Sequence, residues 1–476
     1  MKKLIYLLAV TFFYTSSVVA KTITSDVAQA VAVNFYKQNA DVEVKTVSLA
    51  YTETSSKGDA VYFVFNIIPV GTPPRGTNTG GFVIIVADDA LFPVIGYSTE
   101  GSFVAPPPLS NFSFWMEQRK SEIIADRMSR TYGIQTPTEI SAQWTALLNN
   151  QPFASRSTSA VLPLLQTTWA QHAPYNALCP GGSLAGCVAT TMSQIMRYWK
   201  YPAHGTGSSS YSSTYGTLSA SYANTTYNWN NMPANVTSVN NDVSTIMYQC
   251  GISVEMIYSP GASSSACTID DNPACCAQIS FPKYFGYDST TIKDLLRSGY
   301  SDADWITLIE SDLNAGQPLM YEAHDPIHGG HVWVCDGYNS TNMMHMNWGW
   351  GGQYNGYYSV NSLTTTNVFD FTYKEKVLVG IKPKNVTGIP SISPIISLYI
   401  CPNPASTQLT IHTSSSNTGE ATISIMNVLG QGIQSFGRSL SLSKGEAIDI
   451  SNLPAGIYFL EMKTESAIDT KRFIKE

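Results

Sequence analysis

Gly186-Cys187-Val188-Ala189-Thr190-Thr191-Met192-Ser193-Gln194-Ile195-Met196-Arg197-Tyr198-Trp199 is the stretch on which the reading of this chain turns. A glycine turn feeds a thiol into a run with helical character, which puts the sulfur at a helix N-terminus. Unsatisfied backbone N–H groups and the helix dipole at that end favour a thiolate. Downstream come Gly329-Gly330-His331-Val332-Trp333-Val334-Cys335 and Asn347-Trp348-Gly349-Trp350-Gly351-Gly352. An imidazole lowers the pKa of a neighbouring thiol and later returns the proton to a leaving group. The two glycines before His331 leave space beside its ring. Asn347 can accept from the imidazole and fix its tautomer, with Trp348 screening that contact from water. Upstream, Gln171 carries a side-chain N–H suited to an oxyanion hole beside the Cys187 N–H. The ordinary alternatives are a buried structural thiol, a core histidine and a hydrated glutamine. His324 and His328, just upstream of His331, are the reserve imidazoles.

Around this centre the chain divides. Its 476 residues exceed one compact domain. Met1-Lys2-Lys3, an apolar run from Leu4 to Phe13 and Val18-Val19-Ala20 read as a secretory signal peptide over 1–20. Residues 21–156 read as a small α+β unit with no nucleophile of its own. Its expected elements are a helix over Thr24–Tyr36 with Val27, Val31 and Phe35 on one face, and strands from Ala60, Gly81 and Val94. A second helix is expected over Ser113–Tyr132. Gln151 to Ala160 has linker composition, with Arg156 suited to nicking. Residues 157–384 hold every candidate of the site, and a Pro/Ser-rich linker follows. From 395 onwards short alternating segments separated by polar turns imply a small β-sandwich within 385–476.

Composition narrows the function classes. Only 13% of residues are charged, which suits an exported chain, and a net charge of −7 without a basic stripe excludes a nucleic-acid partner. No segment after the leader is long and apolar enough to be expected to span a bilayer. Eight cysteines lie at 179, 187, 250, 267, 275, 276, 335 and 401. An exported chain permits disulfides, and a bridge from Cys267 could close the loop to Cys276. If Cys187 is free, seven remain, so another stays unpaired within the chain. Cys335 shares a strand face with His331 and reads as a buried thiol. No paired Cys-x-x-Cys or Cys/His tetrad occurs, so neither a metal nor a cofactor is expected.

Gly186 to Thr190 with Ser193 to Tyr198 resembles the streptopain family of papain-like cysteine peptidases. The similarity continues through Trp169 to Asn176, Tyr227 to Asn231, Gly251 to Met256, Gly329-Gly330-His331 and Asn347 to Gly352. The segment around 267–276 departs from the pattern. Residues 21–150, notably Gly81 to Asp89, are similar to the family's inhibitory pro-domain. Pro402-Asn403-Pro404, Asn427 to Gly430 and Leu453 to Tyr458 resemble the sorting domain of type IX secretion cargo. The resemblance implies an α+β fold: a papain-like two-subdomain peptidase preceded by an α+β pro-domain and followed by a small β-sandwich. It implies a secreted or surface cysteine endopeptidase made as a zymogen and exported through the periplasm. The partners it implies are protein or peptide substrates, the chain's own pro-domain as inhibitor, and the type IX machinery. In the family the Trp corresponding to Trp348 is tied to the histidine, and the pro-domain holds the histidine loop away from the cysteine. Two other classes use similar parts. One is an acyltransferase of transglutaminase type, which needs an acidic third residue; Asp336 lies on the wrong strand face for it. The other is a non-catalytic adhesin or inhibitor, which would have lost Gln171, Cys187 or His331.

Overall fold

A computed structural model describes residues 21–475 apart from 41, 71–79, 109, 131–137, 153–159, 262, 266–275, 326–328, 362–374 and 385–397, and five short tail segments (402–404, 414–418, 428–431, 441–445 and 465–467). The leader, Arg156, His328, Cys267 and the Pro/Ser linker therefore lie outside the described residues. The chain forms two units, residues 1–384 and 385–476.

The first unit opens with α1 (Ser25–Ala40), β1 (Val44–Thr54), β2 (Ala60–Pro69), β3 (Gly81–Val86), β4 (Val94–Ser98), α2 (Asn111–Ser129) and α3 (Thr138–Leu148). Val31 and Phe35 of α1 are buried, as their spacing requires, and Val27 is half-buried. The Ser110 hydroxyl accepts from the Ser113 N–H and caps α2, so that helix starts at Asn111 rather than Ser113. It then continues with α4 (Cys187–Trp199), β5 (Ser208–Ser213), β6 (Gly216–Ser221), α5 (Asn241–Ser253), β7 (Met256–Ile257), β8 (Ser264–Ser265) and α6 (Ala277–Phe285). It closes with β9 (Lys293–Leu296), α7 (Asp302–Asn314), β10 (Leu319–Asp325), β11 (Gly329–Tyr338), β12 (Met344–Asn347), β13 (Gly356–Tyr358) and β14 (Lys376–Val379).

Ten strands form one sheet in the order β1-β2-β3-β4-β13-β12-β11-β10-β14-β9. The N-terminal four join the rest through an antiparallel seam, Tyr97 opposite Tyr357 and Gly96 opposite Tyr358. A Cβ on Gly96 would lie 2.5 Å from the Tyr358 ring, so the seam needs glycine there. At β11 the sheet separates two cores. Val332 and Val334 of β11 face a core built on α4 and α5, with Met192, Ile195, Ile246 and Met247. Trp333 and Cys335 face the opposite core, shared with Phe112 and Trp115 of α2 and Trp305 of α7. The period-two alternation of a strand thus assigns each residue of β11 to one core or the other.

The second unit comprises β15 (Leu398–Cys401), β16 (Gln408–Thr413), β17 (Gly419–Asn427), β18 (Gly432–Leu440), β19 (Glu446–Asp449), β20 (Gly456–Thr464) and β21 (Ile468–Lys475). They make a three-stranded sheet, β15-β16-β19, and a four-stranded one, β18-β17-β20-β21. Leu409, Ile411, Ile425, Leu460 and Phe473 fill the core of this unit, as expected of a small sandwich.

Candidate active site

Cys187 is the first residue of α4, half-buried, behind Gly186 at φ 90°. A side chain on Gly186 would meet Met256 at 2.6 Å and would also be strained at that φ, so the turn that delivers the thiol needs glycine. The groups that act on the thiol are burial first, which raises its pKa, then a hydrogen bond from the Val332 backbone, which lowers it. The charge of Glu322 raises it further, and the N–H groups of Val188 and Cys187 itself pull it down. The net direction is upward, which favours the neutral thiol in this state. The expectation of a stabilised thiolate is therefore corrected for this conformation. The helix terminus acts as expected, but burial outweighs it.

His331 stands on the face of β11 opposite Val332, in register with Ala323 of β10, and its ring packs against Phe114 of α2 with centroids 4.8 Å apart. Its Nδ1 lies 3.2 Å from Asn111 Oδ1. Asn111 Nδ2 donates to the carbonyls of Val332 at 2.9 Å and Trp348 at 3.0 Å. With both amide hydrogens committed there, only the Asn111 oxygen faces the ring, so His331 Nδ1 carries the proton. Cys187 and His331 thus meet the same strand, but the ring is turned towards α2 while the thiol bonds the Val332 backbone. β12 pairs with β11 only from Val334 onward.

Gln171 is buried and its backbone carbonyl accepts from the N–H of Ala185, two residues before Cys187, at 2.8 Å. Asn347 is buried with its Nδ2 2.7 Å from the Thr167 carbonyl, and it shares a reciprocal amide pair with Gln194 at 3.3 Å. In this state its amide thus serves Thr167 and Gln194 of the α4 core. Trp348 is fully buried, donates to the Tyr354 carbonyl at 2.9 Å and packs on Trp333 at 4.8 Å. Asp336 Oδ1 lies 2.6 Å from His345 Nδ1, and Oδ2 accepts from the Leu165 N–H at 2.9 Å. That acid serves the start of the protease segment instead of His331. Cys179, Cys250 and Cys335 are free and buried, burial pushing the first two up to about 12 and Cys335 well above the ordinary thiol range. Cys276 is disulfide-bonded. Among the described residues no cluster of His, Cys, Asp and Glu could hold a metal ion. Sequence reading missed Asn111, which it left in a loop before the helix; the Ser110 cap was the available signal.

Residues 169–358 match the Peptidase C10 family, residues 20–123 the Spi protease inhibitor, and residues 399–476 the secretion system C-terminal sorting domain. The chain is 30% identical over 339 residues to streptopain of Streptococcus pyogenes, covering 64% of this chain and 79% of streptopain. It is 29% identical over 424 residues to the thiol protease/hemagglutinin PrtT of Porphyromonas gingivalis. That match covers 84% of this chain and 46% of PrtT, so the chain spans less than half of that relative. Among solved structures, a fragment of Prevotella intermedia prointerpain A matches at TM-score 0.54 and 29% identity, over 71% of this chain and all of that one. The fold is accordingly papain-like, with an inhibitor-like α+β region before it and a type IX sorting tail behind. Among the described residues no helix is long and apolar enough to cross a membrane.

Proposed function

The chain belongs to the peptidase C10 family, and from that we propose that it is a secreted cysteine endopeptidase held latent by residues 21–156 until they are removed. The observation that carries the proposal is Cys187 at the glycine-capped start of α4, bonded to the backbone next to His331, while α2 holds the imidazole on the far face. Release of α2 removes Asn111 and Phe114 from the ring. The half of β11 before Val334 then has only β10 beside it, and a one-residue slip or local turn carries a side chain to the other face. His331 then meets Cys187. The thiolate attacks the scissile carbonyl, and the C–N bond breaks as His331 gives its proton to the leaving amine. Water, deprotonated by His331, hydrolyses the thioester and frees the thiolate. Gln171 Nε2 and the Cys187 N–H hold the oxyanion, while Asn347 and Trp348 orient the returning imidazole. The domain boundaries are proposed at 21–156, 157–384 and 385–476, the last part sending the chain out through the type IX machinery. Casein zymography tests the reading. The processed chain is expected to clear casein, a thiol-reactive epoxide to stop it, and Cys187→Ala to accumulate as uncut precursor. Clearing by Cys187→Ala would overturn it.

A further inference from the structure

Helix α2 does more than touch His331. Phe112, Trp115 and Arg119 recur at i, i+3 and i+7, one face of the helix. Phe112 stacks on Tyr354 with centroids 4.4 Å apart and meets Trp348 at 5.2 Å, and Trp115 meets Tyr358 at 4.8 Å. Beyond this aromatic contact lies a buried charge cluster. Arg119 Nη2 is 2.8 Å from Glu122 Oε1 and 3.0 Å from Glu375 Oε1, with Arg119 1% exposed. Its Nη1 donates to the Asn361 carbonyl at 3.1 Å, and Gln118 Nε2 donates to Glu375 Oε1 at 2.7 Å. From the protease side, the Tyr321 hydroxyl donates to Glu375 Oε2 at 2.8 Å, and Trp305 Nε1 lies 3.2 Å from that hydroxyl.

We propose that Glu375 is the receptor group by which the protease region recognises its inhibitory region, reading an arginine carried on a helix behind two aromatic residues. The proposal rests on the latency described above and adds the chemistry of recognition. Glu122 belongs to the helix itself and holds Arg119 in place one turn away. Glu375 is the carboxylate that the protease side places in an ion pair with Arg119, while the charge of Asp302 also acts on that guanidinium. A helix offering a neutral or acidic residue at that position leaves Glu375 dry with only Tyr321 and an amide, an arrangement that buried charges penalise strongly. Lysine, with one compact ammonium, cannot reproduce a guanidinium that spans two carboxylates and a carbonyl. The partner that fits is thus an amphipathic helix bearing aromatic, aromatic and arginine at i, i+3 and i+7.

The test uses the full chain in the Cys187→Ala background, so that no self-processing intervenes. A specific protease site is inserted after exposed Gln151, the chain is nicked there, and retention of the released N-terminal piece is followed by size-exclusion and dilution. The parent should co-elute. Arg119→Met and Glu375→Gln should each weaken retention by about tenfold or more. Arg119→Glu should do the same, and the exchange Arg119→Glu with Glu375→Arg should recover most of the loss, because it restores one guanidinium between two carboxylates. Arg119→Met keeps volume and adds no charge, so it decides the matter if a reversal variant does not fold. Parent-like retention of Arg119→Met, or an exchange variant no tighter than Arg119→Glu alone, overturns the proposal. Retention does not depend on catalysis, so failure of the peptidase reading would show separately, as a processed chain without epoxide-sensitive activity.

Discussion

At the scale of single residues, the groups proposed for the site differ in how far the sequence announces them. Cys187 was legible because glycine, thiol and helix follow one another in the chain. Gln171 was legible as a residue type only; what fixes its backbone beside the turn is the hydrogen bond from Ala185. Gln171→Ala should lower turnover of the processed enzyme by about 10²–10³ with substrate binding little changed, as removal of an oxyanion donor does. Steady-state kinetics on a peptide substrate check this, and a loss under about tenfold would assign the second donor elsewhere. Asn347 shows the limit of reading by order along the chain. The amide is buried where expected, yet in this state its bonds go to Thr167 and Gln194. Which partner an amide takes depends on packing that no local pattern encodes.

At the scale of elements, α2 holds His331 through Asn111 and Phe114, and the proposed latency rests on that hold. Asn111→Ala removes the donor from two buried carbonyls and the acceptor from His331. The precursor should lose roughly 1–3 kcal/mol of stability and hydrolyse a small substrate before any cut appears on a gel. Thermal melting together with a time course checks both, and a variant as silent as the parent would mean that α2 does not restrain His331. Helical spacing made α1 readable in advance, apolar runs made β2, β3 and β4 readable, and the Gly186-Cys187 turn marked the start of α4. α3 went unread although Ile140, Trp144 and Leu147 bury one face of it, and β1 because none of its residues is buried at the sheet edge. The contacts that matter most in α2 could not be read. Asn111 meets residues 221 and 237 positions away, and Arg119 meets Glu375 at a separation of 256. An arginine on the apolar face of a helix, three residues before Glu122, was the local hint.

At the scale of the whole molecule, two units carry different work. The tail has its own core. Deleting residues from 395 on should leave the processed activity intact and hold the protein in the periplasm of its native host; normal export of the truncated chain would assign the tail another role. The account stands on one claim, that the intact chain keeps Cys187 neutral and away from His331 until residues 21–156 leave. The raised pKa gives its sign. Protonated thiol is the form the folded precursor favours, so this group's contribution to stability is complete below the ordinary value of 9.0 and fades as pH rises past it. The other free thiols described are buried, which slows their alkylation. The decisive measurement is therefore the rate of Cys187 alkylation against pH, before and after removal of the N-terminal region, with Cys187→Ala as blank. The account predicts slow labelling of the intact chain at pH 7 that accelerates only in alkali, and fast labelling at pH 7 once the region is gone. Equal rates in the two forms at pH 7 would contradict it.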